Sequence, residues 1–263
     1  NIYTGAGGDY LQAGNYPCFF YYFADLKFAK SPNYENEVNL WIKNHGTKKF
    51  PKSFKTVESF FKKNIDFRQS GKLKKQELFL PSKNILNKEF YNDIGDVRSN
   101  VVGSYGTYLR SYFVQELFFE AVPPGIDAED IIDWTYGTKM ISPFFSKSLI
   151  ELGWQLSPSK KIKNGINKVL SRESLKGICA LEILQRKQKN GFNAPFDIWL
   201  RGPLNEFAMD IFTSNSFLNR GIYDDKKFFK ILNQHMKGSA DHMMLLWQAL
   251  NLELWMCSWI DNQ

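Results

Sequence analysis

Apolar residues recur at helical spacing along most of the sequence, and this pattern constrains the fold more than any other feature. Residues 53–63 and 226–236 each place phenylalanine and aliphatic side chains on one side of a predicted helix. Residues 242–260 are apolar on almost every side, so we expect a buried helix there. Strand signal is sparse and is best at residues 2–4, which lead into glycines. The pattern therefore predicts a largely helical chain with little sheet.

Composition limits the class of protein. The chain has 263 residues, of which 43% are apolar and 23% charged, so it can bury a core and is not a disordered chain. This length predicts one large or two modest domains. The three cysteines, Cys18, Cys179 and Cys257, form no CxxC pair, which argues against a disulfide scaffold or a structural zinc site and favours the cytoplasm. No apolar run reaches the roughly 18–20 residues of a membrane span, so we expect no membrane partner.

Positive charge is concentrated in one stretch of the chain. The net charge is +7, yet residues 43–75 alone carry eleven Lys or Arg against two acidic residues, a local balance of +9. Phenylalanines interrupt these lysines, which is compatible with a docking surface for an acidic peptide, a phosphate group or nucleic acid. The preferred interpretation is an amphipathic helix with solvated lysines and phenylalanines on the core. A nucleic-acid partner is therefore not expected.

A glycine-rich turn follows the predicted strand. Residues 4–9 read TGAGGD, and such a turn between a strand and a helix can expose backbone N–H groups to a phosphate or an oxyanion. Asp9 at its end has the chemistry of a Mg²⁺ ligand, because Mg²⁺ takes one or two carboxylates and leaves its other positions to phosphate oxygens. The alternative is a plain strand-to-helix turn in which glycine supplies positive φ. The turn is neither GxGxxG nor a Walker motif.

Lysines and aromatic residues form further short motifs in the second half of the chain. In order, these read SPFF at 142–145, GINKVLSR at 165–172, KQKNGFNAP at 187–195, WLR at 199–201 and LELW at 252–255. Lysine ammonium groups beside a phosphate-binding turn can neutralise pyrophosphate or the charge that develops on phosphorus. Taken singly, each lysine is better explained as an exposed helix residue.

The order of these motifs resembles the synthetase domain of the asparagine synthetase family. The shared elements are TGxGGD, PF, GxxKxxxR, KxKxGFxxP with WLR, and LELW, over residues 4–255. The family includes β-lactam synthetase, carbapenam synthetase and the lasso-peptide macrolactam cyclases, and we expect the chain to resemble these divergent members more than housekeeping asparagine synthetase. The resemblance implies an α/β fold of the ATP-pyrophosphatase (adenine nucleotide alpha hydrolase-like) type. Residues 1–263 would be its mainly α-helical C-terminal portion.

The resemblance also implies an activity and a set of site residues. Enzymes of this family use ATP and Mg²⁺ to convert a carboxylate into an acyl-adenylate with release of pyrophosphate, and an amine then displaces AMP to give an amide. By this resemblance Asp9 would bind Mg²⁺, Lys168 would contact pyrophosphate, and Lys189 would be the essential residue that stabilises charge in the reaction. Four residues of the turn would line the adenylate and pyrophosphate: Thr4, Gly5, Gly7 and Gly8.

The chain departs from the family pattern at several positions. Ala6 stands where a carboxylate or tyrosine often assists proton transfer, and Lys187 stands where the family prefers arginine. The family's ExRxPFLD segment reads KMISPFFS over residues 139–146, so its Glu, Arg and Asp positions hold Lys, Ile and Ser. A general base is therefore not identified. Glu129 and Asp130 are possible substitutes, or they belong to a helix N-terminus and complement its dipole.

Neither the SGGxDS loop, with which the family's ATP site begins, nor the glutaminase domain is found in this sequence. We therefore expect a partner, either the N-terminal half of the same protein or a separate chain that supplies this loop. The substrates would be a specialised carboxylate and an amine, as in peptide macrolactam formation or metabolite amidation. The alternative is a catalytically degenerate scaffold or binding subunit, which Ala6 and Lys139 motivate and which the retention of Asp9, Lys168 and Lys189 argues against.

Overall fold

A computed structural model describes residues 1–47, 51–74, 85–94, 103–118, 122–187 and 194–261. Two compact units are present: unit 1 comprises residues 1–76 and 99–189, and unit 2 comprises residues 77–98 and 190–263. In chain order the elements are β1 (Ile2–Tyr3), α1 (Gly8–Leu11), α2 (Cys18–Phe28), α3 (Tyr34–His45), α4 (Phe54–Asn64), α5 (Lys88–Ile94), α6 (Tyr108–Phe118), α7 (Val122–Tyr136), β2 (Met140–Ile141), a 3₁₀ turn (Pro143–Phe145), α8 (Lys147–Gln155), α9 (Pro158–Lys161), α10 (Val169–Ser174), α11 (Leu181–Gln185), α12 (Phe196–Arg201), α13 (Asn205–Phe212), α14 (Asn215–Asn219), α15 (Asp225–Met236) and α16 (Met243–Trp259). In these ranges the chain is mostly helical, as the sequence predicts.

Helix α2 is the centre of unit 1. Residues 18–24 are all buried, and α3, α4 and α6 pack around them. Aromatic rings fill this core: Phe20 stacks on Phe60 with ring centroids 4.5 Å apart, and Tyr21 stacks on Tyr112 at 4.4 Å. Each such ring contributes about 1.5–3 kcal/mol by burial. The run of aromatic residues in α2 therefore supplies much of the energy that assembles unit 1.

Helix α4 confirms the amphipathic interpretation for residues 54–64 of the basic stretch. The Ser53 hydroxyl caps the helix by accepting the Thr56 N–H at 3.3 Å. Val57 and Phe61 are buried, and Phe60 packs on α2, so the phenylalanines of this helix belong to the core. Phe50 and the lysines at positions 48, 49 and 75 lie outside the described residues.

A half-buried carboxylate from α2 holds the start of α6. Asp25 accepts the backbone N–H groups of Tyr108 at 2.6 Å and Leu109 at 3.2 Å, which are otherwise without a partner inside a helix. Burial raises the pKa of Asp25 to about 7, although both hydrogen bonds favour the ionised form. This contact fixes α6 against α2.

The sheet of unit 1 consists, within the described ranges, of two short parallel strands. Ile2 pairs with Met140 and Tyr3 with Ile141. This confirms the strand expected at the start of the chain. A parallel pair needs a long crossover connection, and here the intervening chain supplies α1–α4, α6 and α7.

Unit 2 packs its helices around α16. Leu246, Ala249, Leu250 and Glu253 are its buried residues, at the i, i+3, i+4, i+7 spacing of a single face. The opposite face is exposed, with Trp255 51% accessible. The predicted helix is therefore present, but the expectation that it is buried on all sides is wrong. The physical reason is that α12 and α13 cover one side of α16. None of the helices in the described ranges is long and apolar enough to cross a membrane.

Candidate active site

The parallel strand pair positions the glycine turn. The Thr4 N–H donates to the Ile141 carbonyl at 2.9 Å, and the Thr4 and Ser142 hydroxyls are 2.8 Å apart. The Lys139 carbonyl accepts the Ile2 N–H at 2.8 Å, so the backbone of this altered family segment still anchors the strand. Thr4 therefore fixes the turn to the strand and is not among the residues that line the adjoining pocket.

Gly7 is required by the shape of the turn. Its φ of +88° is in the left-handed region, and a Cβ there would lie 3.0 Å from the Phe145 ring and 3.1 Å from Phe144 Cβ. The turn uses two of its own N–H groups internally: Ala6 donates to Thr4 Oγ1 at 3.3 Å and Gly8 to the Gly5 carbonyl at 3.2 Å. Fewer amides are thus free for a phosphate than the motif alone suggests.

Two predicted site residues, 159 positions apart in sequence, meet beside the turn. Lys168 Nζ lies 2.5 Å from Asp9 Oδ1, and the two side chains are 39% and 27% exposed. Both ends of this ion pair can therefore reach solvent and a polyanionic ligand. A Cβ on Gly14 would fall well inside van der Waals distance of Asp9 Oδ1 and of Lys168 Cε, so the pair rests on the Gly14 backbone.

The loop that carries Lys168 is anchored from α3. Both oxygens of the buried Glu37 carboxylate accept backbone N–H groups, from Asn164 and Gly165, each at 2.9 Å. The Gly165 carbonyl is 2.9 Å from His45 Nε2, which places the imidazole proton on that nitrogen. Burial lowers the pKa of His45. A Cβ on Gly165, whose φ is +66°, would lie 2.6 Å from the Leu40 carbonyl carbon, so glycine alone fits this approach.

The rest of the GxxKxxxR motif braces the same loop. Arg172 donates from Nε to the Asn167 carbonyl at 2.8 Å and from a terminal nitrogen to the Leu184 carbonyl at 2.6 Å. Burial lowers the pKa of Arg172. The Asn167 amide donates to the Gly14 carbonyl at 3.1 Å, and the Ser171 hydroxyl donates to Gln12. Asn167 and Ser171 of the motif thus connect the lysine loop to the segment after α1, whereas Arg172 braces the loop itself.

A pocket of about 260 Å³ adjoins the turn. Its walls are formed by Gly5, Ala6, Gly7, Asp9, Tyr10, Asn15, Val122, Gly125, Ile126, Glu129 and Phe145. Gly5, Gly7 and Asp9 of the predicted site line it, whereas Gly8 and Lys168 do not. Lys168 reaches the pocket wall through its ion pair with Asp9.

The two acids considered as substitutes for the general base lie in the middle of α7. The expectation that they complement a helix N-terminus is wrong, because the helix begins at Val122. Glu129 is half-buried and lines the pocket together with Asp9, while Asp130 is exposed and is not one of the lining residues. The sequence does not reveal this difference between neighbouring acids, because it depends on which side of α7 faces the turn.

Lys189 lies outside the described residues, as do Gly191 and Phe192 of the same motif. The preceding Lys187 is described, and its Nζ donates to Asn44 Oδ1 at 3.0 Å. The role predicted for Lys189 therefore stays a prediction.

The residues present suit a magnesium ion. Within the described ranges, no group of three or more His, Cys, Asp or Glu side chains could hold a metal by itself. Mg²⁺ does not need such a cage, since it is held by one or two carboxylates while water and substrate phosphates complete its octahedron. Asp9 and Glu129 on one pocket match that donor set, and the open turn leaves room for phosphate oxygens.

The sequence analysis did not identify Gly14 or Glu37. The Gly14 backbone packs against the Asp9–Lys168 ion pair, and Glu37 anchors the loop that carries Lys168. Gly14 gives a weak signal, since it is one more glycine shortly after the turn. Glu37 gives none, because its partners are backbone amides 127 and 128 residues away in sequence.

Comparison with known proteins shows which family the sequence matches. The asparagine synthase family model matches residues 3–257. Asparagine synthetase [glutamine-hydrolyzing] 1 of Bacillus subtilis is 25% identical over 167 residues, which cover 58% of this chain and 26% of that protein. A putative asparagine synthetase [glutamine-hydrolyzing] of Mycobacterium tuberculosis is 30% identical over 121 residues, or 46% of this chain and 18% of that protein.

The chain thus spans about a quarter or less of these curated relatives. No solved structure gives a significant match. The match to the family model nevertheless runs through the glycine turn, the lysine loop and the C-terminal helix, and so confirms the family resemblance drawn from the motifs. The chain belongs to the asparagine synthase family.

Proposed function

We propose that this chain forms the magnesium- and pyrophosphate-binding part of an ATP-dependent, AMP-forming amide ligase. The complete site would adenylate a carboxylate and transfer the acyl group to an amine or ammonia. The observation that carries the proposal is the Asp9–Lys168 ion pair, 2.5 Å long, beside the glycine turn. A metal-ligand acid and a phosphate-binding cation there are the two charges that pyrophosphate release requires.

The chemistry follows from the charges of these side chains. Asp9, with Glu129 on the same pocket, would hold Mg²⁺, and the ion would supply positive charge to the phosphate oxygens. Lys168 would turn from Asp9 to pyrophosphate when the polyanion is bound, since its ammonium is partly exposed. Lys189 would stabilise charge on the reacting groups.

A partner segment with the SGGxDS loop is part of the proposal. The pocket of about 260 Å³ is smaller than the roughly 300–1,000 Å³ of sites for drug-sized ligands, which supports a site shared with a further segment. Exposed apolar side chains on β1 and α7 also support it, because Tyr3, Trp134 and Tyr136 are 72%, 90% and 75% accessible. Such surface is typical of a face that another segment covers.

The substrate is proposed to be specialised. The altered 139–146 segment supports a carboxylate other than free aspartate, such as one in a peptide that is closed to a macrolactam or in a metabolite that is amidated. A lasso-type cyclase is one candidate. The competing proposal is a degenerate scaffold subunit, which Ala6 favours because this pocket residue carries no group for proton transfer.

The test is ATP–pyrophosphate exchange in the complete protein or complex that includes the SGGxDS segment. Lys168→Ala should lower exchange by about 100-fold or more, the typical loss of one group that stabilises transition-state charge. Lys163→Ala, at an exposed lysine of the same loop, is the matched control and should leave exchange unchanged. Asp9→Asn should raise the Mg²⁺ concentration needed for exchange. Near-normal exchange in Lys168→Ala would overturn the assignment.

The scaffold proposal predicts a different result. The wild-type complex would then show no carboxylate-dependent exchange with any acid tested. Lys189→Ala gives a second check, because it should abolish AMP formation in an active ligase.

A further inference from the structure

Lys161 is a buried cation that has no counter-ion in the described part of the chain. It ends α9, is 2% exposed, and its Nζ lies 4.3 Å from the centre of the Phe113 ring. Among the described residues no hydrogen bond or ion pair is made by this ammonium group. Burial lowers its pKa to about 8. An ammonium removed from water without a paired anion is unfavourable, so this position calls for a ligand or a functional reason.

A cavity of about 570 Å³ opens beside Lys161. Apolar side chains form most of its wall, including Leu11, Phe113, Leu117 and Trp154. Its volume is in the range of small-molecule sites, which are mostly apolar with a few polar groups that fix the ligand's orientation. This cavity and the pocket at the glycine turn share no lining residue.

The charges around the cavity favour an anion. Arg110 lies over the Trp154 ring at 5.7 Å, and its Nε is buried without a hydrogen-bond partner. The acid in the wall is Glu151, which is 58% exposed and paired with Lys147 at 3.8 Å, so it does not neutralise Lys161. A neutral ligand would leave the ammonium unpaired, and a cation would be repelled.

We propose that this cavity binds an apolar carboxylic acid, with its hydrocarbon body against the aromatic and aliphatic wall and its carboxylate on Lys161. A monocarboxylate fits because one buried ammonium faces the cavity, whereas a doubly charged head group would remain half unpaired. This site is additional to the proposed ligase chemistry and does not depend on it.

Binding of decanoate to the complete protein tests the proposal, with 1-decanol as the uncharged probe of the same length. We expect saturable decanoate binding with 1:1 stoichiometry in titration calorimetry, and at least about tenfold weaker binding of decanol, because the charge-assisted pair is lost. Lys161→Met should remove this preference. It should not lower the melting temperature, since it replaces an unpaired buried charge with an apolar chain of similar length.

Lys160→Met is the matched control, as the same substitution at the adjacent exposed lysine should keep the preference for decanoate. Leu117→Trp, which fills the cavity, should weaken both probes. The proposal is overturned if the wild type binds neither probe, if it binds both equally, or if Lys161→Met retains the preference for the acid.

Discussion

Substitution of Gly14 by alanine tests whether the Asp9–Lys168 pair depends on the backbone beneath it. An added Cβ would overlap Asp9 Oδ1 and Lys168 Cε and would lie 2.8 Å from Asp9 Cγ. Insertion of a methyl group into a packed position costs about 1–3 kcal/mol. Some relief is available because both side chains are partly exposed, so we expect a loss near the middle of that range and a displaced ion pair.

Gly5→Ala is the matched control in the same turn. A Cβ on Gly5 meets no atom within 4 Å, and its φ does not require glycine. This variant should unfold within about 0.5 kcal/mol of the wild type. Urea denaturation of both variants, followed by circular dichroism, measures the difference.

A double-mutant cycle identifies the cause of the Gly14→Ala loss. Lys168→Ala removes the Cε atom that the new methyl group would strike, so Gly14→Ala should cost less in that background, by at least about 0.5 kcal/mol. Equal costs in the two backgrounds would mean that the methyl group does not act through Lys168. A Gly14→Ala variant as stable as Gly5→Ala would refute the packing argument altogether.

Three further predictions concern charged side chains. Because the pKa of Asp25 is raised to about 7 in the folded chain, the folded state keeps a proton that the unfolded state has already released. The free energy of unfolding should therefore fall by about 1.4 kcal/mol per pH unit as the pH rises from about 4 to 7, and urea titrations of Asp25→Asn across that range should lack this component. Glu37→Ala should cost about 1–3 kcal/mol for each of the two backbone N–H groups left unpaired, and Glu37→Gln should cost less, as measured by denaturation. Arg220→Met should lower the free energy of unfolding by about 3–5 kcal/mol, because it removes the cation 3.0 Å from Glu253, whose side chain is 3% exposed. The double variant with Glu253→Leu should recover most of this loss in the same assay.

Local pattern was sufficient to predict helices α4 and α15 and the glycine turn. Residues 53–63 and 226–236 became α4 and α15 because each has one apolar face and a capping side chain, Ser53 and Asp224. It was insufficient for α16, where apolar residues surround the helix but one face alone is buried. Burial of a helix face is decided by neighbours, and the sequence of the helix does not contain them.

The candidate site, too, could be predicted only in part from the sequence. Residue chemistry pointed to Asp9, because a carboxylate at the end of a glycine turn suits Mg²⁺, and the family resemblance pointed to Lys168. Neither could show that Glu129, and not Asp130, lines the pocket, or that the Gly14 backbone supports the Asp9–Lys168 pair. Those assignments depend on side chains that approach across more than 100 residues of sequence, and spacing in the chain does not determine them.

The position of Lys168 depends on residues that are far from it in the sequence. Its backbone has φ 56° and ψ 34°, a left-handed conformation that costs a residue with a side chain about 1–2 kcal/mol. The buried Glu37 carboxylate offsets this cost, because its two hydrogen bonds to the backbone at 164 and 165 hold the loop in the one shape that carries the lysine to Asp9. His45 adds a hydrogen bond that survives protonation, since Nε2 donates in both states of the ring. Changes at Glu37 should therefore displace Lys168 from Asp9 at the glycine turn, and they should lower both pyrophosphate exchange and the free energy of unfolding.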